Sequence, residues 1–251
     1  MGRWLERKTD VNVVVTENYE EMSVAAANVI AEQLKAKPDS VLGLATGTTP
    51  IGLYAELVRA YDAGEISFAN AQSFNLDEYR GLPGTHDQSY RYFMQDNLFD
   101  HVDIDVEKTH VPDGSMEDAQ AACDAYEHAI AQAGGVDLQL LGLGHNGHIG
   151  FNEPCDSFPV TTHCVELTES TIQANSRLFD SADEVPREAY TMGIGTIMKA
   201  RKILLVVNGA GKAEIVRDVL RGPVVPQVPA SILQLHPDVT VGLDKEAAAA
   251  L

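Results

Sequence analysis

Three short stretches of this chain hold residue types at spacings that could carry chemistry. The densest is Leu143-Gly144-His145-Asn146-Gly147-His148-Ile149-Gly150-Phe151-Asn152-Glu153-Pro154, where glycines, two histidines, two asparagines and a carboxylate crowd one turn. A histidine near a carboxylate suits general acid/base work, because the carboxylate fixes the tautomer and steadies the imidazolium. His145 and His148 could also begin a zinc site, yet no third ligand stands nearby and Cys155 has no cysteine partner in the window. The plainer alternative is a glycine-rich turn with incidental polar groups.

The second stretch is Thr46-Gly47-Thr48-Thr49-Pro50. Glycine lets backbone approach a ligand closely, the three threonines bring hydroxyls, and a helix start adds free N–H groups and positive potential. This composition suits an anion, most naturally a phosphate. It matches neither a Walker A loop nor GxGxxG, so no nucleotide is implied. The third stretch is Phe74-Asn75-Leu76-Asp77-Glu78-Tyr79. Successive side chains diverge, so one acid of the Asp77–Glu78 pair is expected to face a ligand, where it could remove a proton next to a carbonyl. The alternative there is a capping acid beside a solvated one. Two cations are well placed for phosphate: Arg177 in Ala174–Leu178, and Lys212 after the turn Asn208-Gly209-Ala210-Gly211.

These groups need a scaffold, and the rest of the sequence supplies one. Strands are expected at Asn12–Thr16 (buried), Val41–Ala45, Ser73–Leu76, Val136–Leu143 (buried on both faces), Lys202–Asn208 and Val239–Leu243. Helices are expected at Tyr19–Lys37, with Met22, Ala25, Val29 and Leu34 among its apolar positions, and from Pro50 to about Tyr61 with Thr49 as N-cap. Others are expected at Ser89–Leu98 with Ser89 capping, Glu117–Ala133 and Gly211–Leu220. Strand–helix alternation predicts an α/β fold with a mostly parallel sheet, helices on both faces and ligands beyond the carboxyl ends of the strands. Each of the three stretches follows an expected strand or closes one. Phe158–Pro186 has few periodic signals and reads as a mobile lid.

Composition narrows the function classes. The chain has 251 residues, 18 Lys+Arg against 37 Asp+Glu and a formal charge of −19, which disfavours nucleic-acid binding and docking on anionic membranes. An anionic substrate remains possible where local cations dominate, because salt screens distant charge beyond about 8–10 Å. The three cysteines form no CxxC pair, no signal peptide is visible and no apolar run is long enough to span a membrane, so the expected location is the cytoplasm.

The chain closely resembles the glucosamine-6-phosphate deaminases (glucosamine-6-phosphate isomerases, NagB-type). The resembling stretches are LGLATGTTPIGLY (Leu42–Tyr54), FNLDEYRGL (Phe74–Leu82), SYRYFM (Ser89–Met94) and LLGLGHNGHIGFNEP (Leu140–Pro154). ANSRLF (Ala174–Phe179), TMGIGTI (Thr191–Ile197), GKAE (Gly211–Glu214) and PASILQLH (Pro229–His236) match as well, in order along residues 11–250. Only residues 1–10 read as an extension.

The resemblance implies a Rossmann-like three-layer αβα sandwich of the NagB/RpiA/CoA-transferase-like kind. It also implies conversion of glucosamine 6-phosphate and water to fructose 6-phosphate and ammonia, with no metal or organic cofactor. His148 would open the sugar ring, supported by Glu153 and Asn146, and Asp77 would move a proton from C2 to C1. Thr46, Gly47, Thr48, Thr49, Arg177 and Lys212 would hold the phosphate. The family often has a small residue where this chain has Thr48, so Thr48 is expected at negative φ with its backbone donor kept. Activated relatives carry two cations and a serine where this chain has His163, Val165 and Asp156, so a short, non-allosteric type is expected. The competing readings are a 6-phosphogluconolactonase and a non-catalytic sugar-phosphate sensor. Oligomeric state does not follow from the sequence.

Overall fold

Short β-branched and leucine-rich runs separated by amphipathic helices bury best as a parallel sheet with both faces covered. The computed structural model describes residues 11–169, 172, 173, 179, 181 and 184–251. Residues 1–10, Arg177 and much of the segment expected to form a lid lie outside the described residues.

In chain order the first strands are β1 (Asn12–Thr16), β2 (Val41–Leu44), β3 (Gln72–Asn75), β4 (Asp77–Tyr79) and β5 (Thr109–His110). They are followed by β6 (Leu138–Leu141), β7 (His163–Glu166), β8 (Glu188–Thr191), β9 (Lys202–Val207) and β10 (Val239–Asp244). The helices are α1 (Tyr19–Ala36), α2 (Ile51–Asp62), α3 (Tyr90–Asn97), α4 (Ala119–Gln132), α5 (Ile194–Met198) and α6 (Ala213–Arg221).

Seven strands form one parallel sheet in the order β1-β10-β9-β6-β2-β3-β5. From β2 the chain builds outward through β3 to β5. It then returns to place β6 on the other side of β2 and builds the opposite way. The direction reverses between β2 and β6, and the loops leaving their carboxyl ends diverge there into a crevice. Those loops are Thr46–Pro50 and Leu143–Pro154.

A second sheet of three antiparallel strands, β4-β8-β7, pairs Asp77 with Thr191. Its strands are three or four residues long and mix polarity, so they lack the alternation that announces a strand.

The α1 buried stripe is Met22, Ala26, Ile30 and Leu34, while Ala25 and Val29 flank it half-buried. Asn18, Ser89 and Asp118 cap α1, α3 and α4 through side-chain oxygens. The Asp118 cap explains why α4 starts later than the expected Glu117.

Three local expectations are corrected. The NVVVT strand is an exposed edge: β10 is its only neighbour among the described residues, and Val15 is 50% exposed. β-branched residues favour an extended backbone and do not by themselves imply burial. Thr49 does not cap α2; Pro50 stands at the N-cap without a side-chain bond, and the Thr49 hydroxyl bonds Asn208 instead. Residues 210–212 form a 3-10 turn, and α6 begins after it at Ala213.

Candidate active site

A cavity of about 820 Å³ opens at the β2/β6 reversal. Thr46, Gly47, Thr48, Thr49, Asp77, His148 and Lys212 all line it, together with His145. Asn146 and Glu153 stand behind His148 and touch it or its loop.

At one end, the Thr46–Thr49 loop leaves β2, whose tip is held by Tyr54 of α2. The Tyr54 hydroxyl donates to the Ala45 carbonyl at 2.6 Å and accepts from the Ala45 N–H at 3.2 Å. Gly47 takes the left-handed conformation (φ +103°), and no non-glycine residue among those described has positive φ, so Thr48 is unstrained. The N–H groups of Gly47, Thr48 and Thr49 have no protein acceptor among the described residues. Lys212, which lines the same cavity, donates from Nζ to the Leu143 carbonyl at 2.6 Å. Burial lowers its pKa, and two further ammonium hydrogens remain for a ligand.

At the other end the two acids of DEY part ways. The Glu78 carboxylate accepts from the N–H groups of Tyr79 (2.8 Å), Tyr90 (2.9 Å) and Arg91 (2.9 Å), securing the start of α3. Burial raises Glu78, and these three amides oppose that shift. Asp77 faces the cavity with 7% of its surface exposed. Burial, with a smaller contribution from the Glu78 charge, pushes its pKa up to about 8.

The Leu143–Pro154 loop approaches Asp77 through glycines. A Cβ on Gly150 (φ +59°) would lie 2.7 Å from Thr191 Oγ1 and 3.7 Å from Asp77 Oδ2. A Cβ on Gly144 would lie 2.3 Å from the His148 ring, so the imidazole rests directly on that backbone. The loop is tied down by Phe151 N–H to Thr191 Oγ1 (3.0 Å) and by Asn152 Nδ2 to the Ile149 and Met192 carbonyls (2.8 Å each).

Glu153 bridges two loop residues. Its Oε2 accepts from Asn146 Nδ2 at 2.6 Å, and its Oε1 lies 3.1 Å from His148 Nδ1. The latter pair is close but misaligned for a good hydrogen bond, so it acts as a charge pair when the imidazole is protonated. His148 holds the Glu153 carboxyl below the usual carboxylate range, partial burial opposes this, and Asn146 adds a smaller lowering. The described residues contain no group of three or more His, Cys, Asp or Glu side chains placed to hold a metal ion.

Sequence reasoning missed the wall between the two ends. The Tyr79 and Tyr90 rings meet at 4.8 Å, and Phe151 stacks parallel to Tyr90 at 6.2 Å. It also missed Thr191, Asn208 and the reason for Gly144 and Gly150. The glycines were the only visible signal, since a glycine beside a histidine marks a possible close approach.

Comparison with known proteins agrees with this architecture. The sequence profile of the glucosamine-6-phosphate isomerases/6-phosphogluconolactonase family matches residues 16–241. The glucosamine-6-phosphate deaminase of Thermoanaerobacter pseudethanolicus is 55% identical over 95% of this chain and 94% of its own length. That of Clostridium perfringens is 55% identical over 95% and 98%. The solved structure of a monomeric glucosamine-6-phosphate deaminase superposes with a TM-score of 0.92 at 47% identity, covering 96% of this chain and all of its own. The 6-phosphogluconolactonase of Trypanosoma brucei shares the fold, with a TM-score of 0.75 at 22% identity over 96% of this chain and 99% of its own. With both its sequence and its fold in agreement, this chain belongs to the glucosamine-6-phosphate isomerase/6-phosphogluconolactonase family.

Proposed function

We propose that this protein is a glucosamine-6-phosphate deaminase, converting glucosamine 6-phosphate and water to fructose 6-phosphate and ammonia. The observation that carries this reading within the family is the buried Asp77 carboxyl lining the same cavity as His148, which is paired with Glu153. Hydrolysis of a lactone requires no proton transfer at C2, whereas an aldose–ketose shift requires a base there. The identity to the curated deaminases supports the same choice.

The phosphate sits against the Thr46–Thr49 amides and Lys212, which sets the other end of the sugar near Asp77 and His148. His148 takes the proton of the C1 hydroxyl and returns one to the ring oxygen, opening the pyranose. Glu153 stabilises the transient imidazolium, and Asn146 steadies Glu153. The open-chain aldehyde acidifies the C2–H. Asp77 removes that proton as O1 takes one from the C2 ammonium, giving an enolamine, and Asp77 then delivers its proton to C1, leaving a C1 hydroxyl and an iminium at C2. Water adds there, and ammonia leaves from the carbinolamine. Asp77 must be ionised to begin, and the substrate's C2 ammonium favours the ionised form when bound alongside. Arg177, a further phosphate ligand in this reading, lies outside the described residues.

We further read the enzyme as lacking activation by N-acetylglucosamine 6-phosphate, because His163, Val165 and Asp156 stand where activated relatives carry two cations and a serine. A sigmoidal substrate curve made hyperbolic by that compound overturns this.

The direct test is release of ammonia and fructose 6-phosphate from glucosamine 6-phosphate, with and without EDTA. Equal amounts of both, indifferent to EDTA, are expected. Absence of ammonia together with hydrolysis of 6-phosphogluconolactone would move the activity to the other branch of the family.

A further inference from the structure

The phosphate end contains a bond that changes which groups can meet the anion; this inference rests on the phosphate-ester reading above. The Thr49 hydroxyl donates to Asn208 Oδ1 at 2.8 Å. A hydroxyl has one hydrogen. With it committed to Asn208, Thr49 Oγ1 presents only lone pairs towards the cavity, which repel phosphate oxygens. The same bond occupies the Asn208 acceptor and leaves the two Nδ2 hydrogens with no acceptor among the described residues. Asn208 lines the cavity directly after β9, and Thr49 follows β2, so the bond spans the β6 strand lying between them in the sheet.

The neighbouring turn has few donors to spare. The Gly209 N–H donates to both Asp244 carboxylate oxygens at 3.0 Å, and the Ala210 N–H donates to Glu246 at 3.3 Å. The Lys212 N–H closes the turn on the Gly209 carbonyl at 3.0 Å. From this side, the Gly211 N–H, Lys212 Nζ and the Asn208 amide remain.

We propose that Asn208 is a phosphate-binding residue whose Nδ2 donates to the substrate's phosphate, and that Thr49 is a positioning residue whose hydroxyl holds that amide in place. Asn208 thereby adds a neutral donor at a point backed by two carboxylates.

The test compares Asn208→Asp, Thr49→Val and Thr49→Ser in steady-state turnover of glucosamine 6-phosphate and in the melting-temperature shift produced by inorganic phosphate. Asn208→Asp keeps the acceptor for Thr49 and replaces the donors with negative charge. It is expected to raise KM about tenfold or more while kcat stays within about twofold. Thr49→Val is expected to raise KM less, about two- to fivefold, with Thr49→Ser restoring it. The phosphate-induced shift should weaken in the same order. Asn208→Ser, which removes the amide with less disturbance, covers the case in which the aspartate does not fold. Unchanged KM and phosphate response in Asn208→Asp and Asn208→Ser would overturn the proposal. So would a Thr49→Val loss equal to or larger than that of Asn208→Asp, which would make the Thr49 hydroxyl the donor. If the wild type does not turn over glucosamine 6-phosphate, the functional reading fails, and the phosphate titration still decides the role of Asn208.

Discussion

The two ends of the cavity solve different problems with different materials. The proposed anion end offers backbone N–H groups, one lysine and a turn, all set on the tips of parallel strands. Its donors are mostly independent of side-chain type. The proposed proton-transfer end sets the Asp77 carboxyl, raised by burial, in the same cavity as the His148 imidazole. There the small antiparallel sheet holds Asp77 against a loop that reaches it only through glycine. In the proposed reading, binding rests on geometry that many sequences could supply, while chemistry rests on a few side chains, of which Asp77 is buried in a low-dielectric setting. Asp77 and Glu78 show the contrast in adjacent residues. Three backbone amides partly offset the effect of burial on Glu78, whose carboxyl is still raised, while Asp77 has no hydrogen-bond donor among the described residues and is pushed up to about 8.

The contrast is broken most severely at Asp77. Asp77→Asn should lower kcat by about 10²–10⁴-fold with little change in KM, as measured by ammonia release. A parallel loss of binding would make Asp77 a ligand contact instead. The same variant should melt no lower than wild type, and higher at pH 8. Because the folded pKa is raised from 3.8 to about 8, folded Asp77 keeps a proton that the unfolded chain releases in that window. The stability is fully present below the unfolded value and is lost as pH rises towards about 8. Asparagine removes that dependence.

Gly144→Ala tests the loop at nearly the same scale. The added methyl meets the His148 ring, and a displacement of the order of 1 Å at a reacting group costs about 10²-fold in rate. Circular dichroism should show an intact fold. A rate close to wild type would mean that the ring can move aside without harm.

Lys212→Met probes the other end and should raise KM about 10- to 100-fold, the range expected for a lost charge-assisted hydrogen bond, with a smaller effect on kcat. A predominant kcat loss would erase the division between the ends. The pH profile sharpens it further. For the free enzyme, kcat/KM should rise with pH towards about 8 as Asp77 ionises, a rise that Asp77→Asn abolishes. The smallest effect is expected far from both ends: Val14→Thr on the exposed edge of β1 should change stability by no more than about 0.5 kcal/mol in urea unfolding.

Much of the scaffold was legible because it is local. Apolar runs such as KILLVV (Lys202–Val207) and caps such as Ser89 are read within a few residues of themselves. The alternation of strands and helices was enough to expect the crevice. The β4-β8-β7 sheet was not legible, because its strands are three or four residues long, mix polarity, and in the case of β4 find their partner more than 100 residues away, as in the Asp77–Thr191 pair. Thr49 misled for a related reason. Its position before Pro50 suits a helix cap, and only folding brings Asn208 close enough to compete for the hydroxyl.

By itself, then, the sequence determined which residue types stand at which strand ends: hydroxyls and glycine after β2, acids after β3, histidines, glycines and a glutamate after β6. Covalent order and local propensity suffice for that. Tertiary structure decided which of two adjacent acids is buried facing the cavity, which glycines must lack a side chain, and which way the Thr49 hydroxyl points. Those outcomes depend on desolvation and on contacts between segments distant in the chain, and only the packed fold sets them.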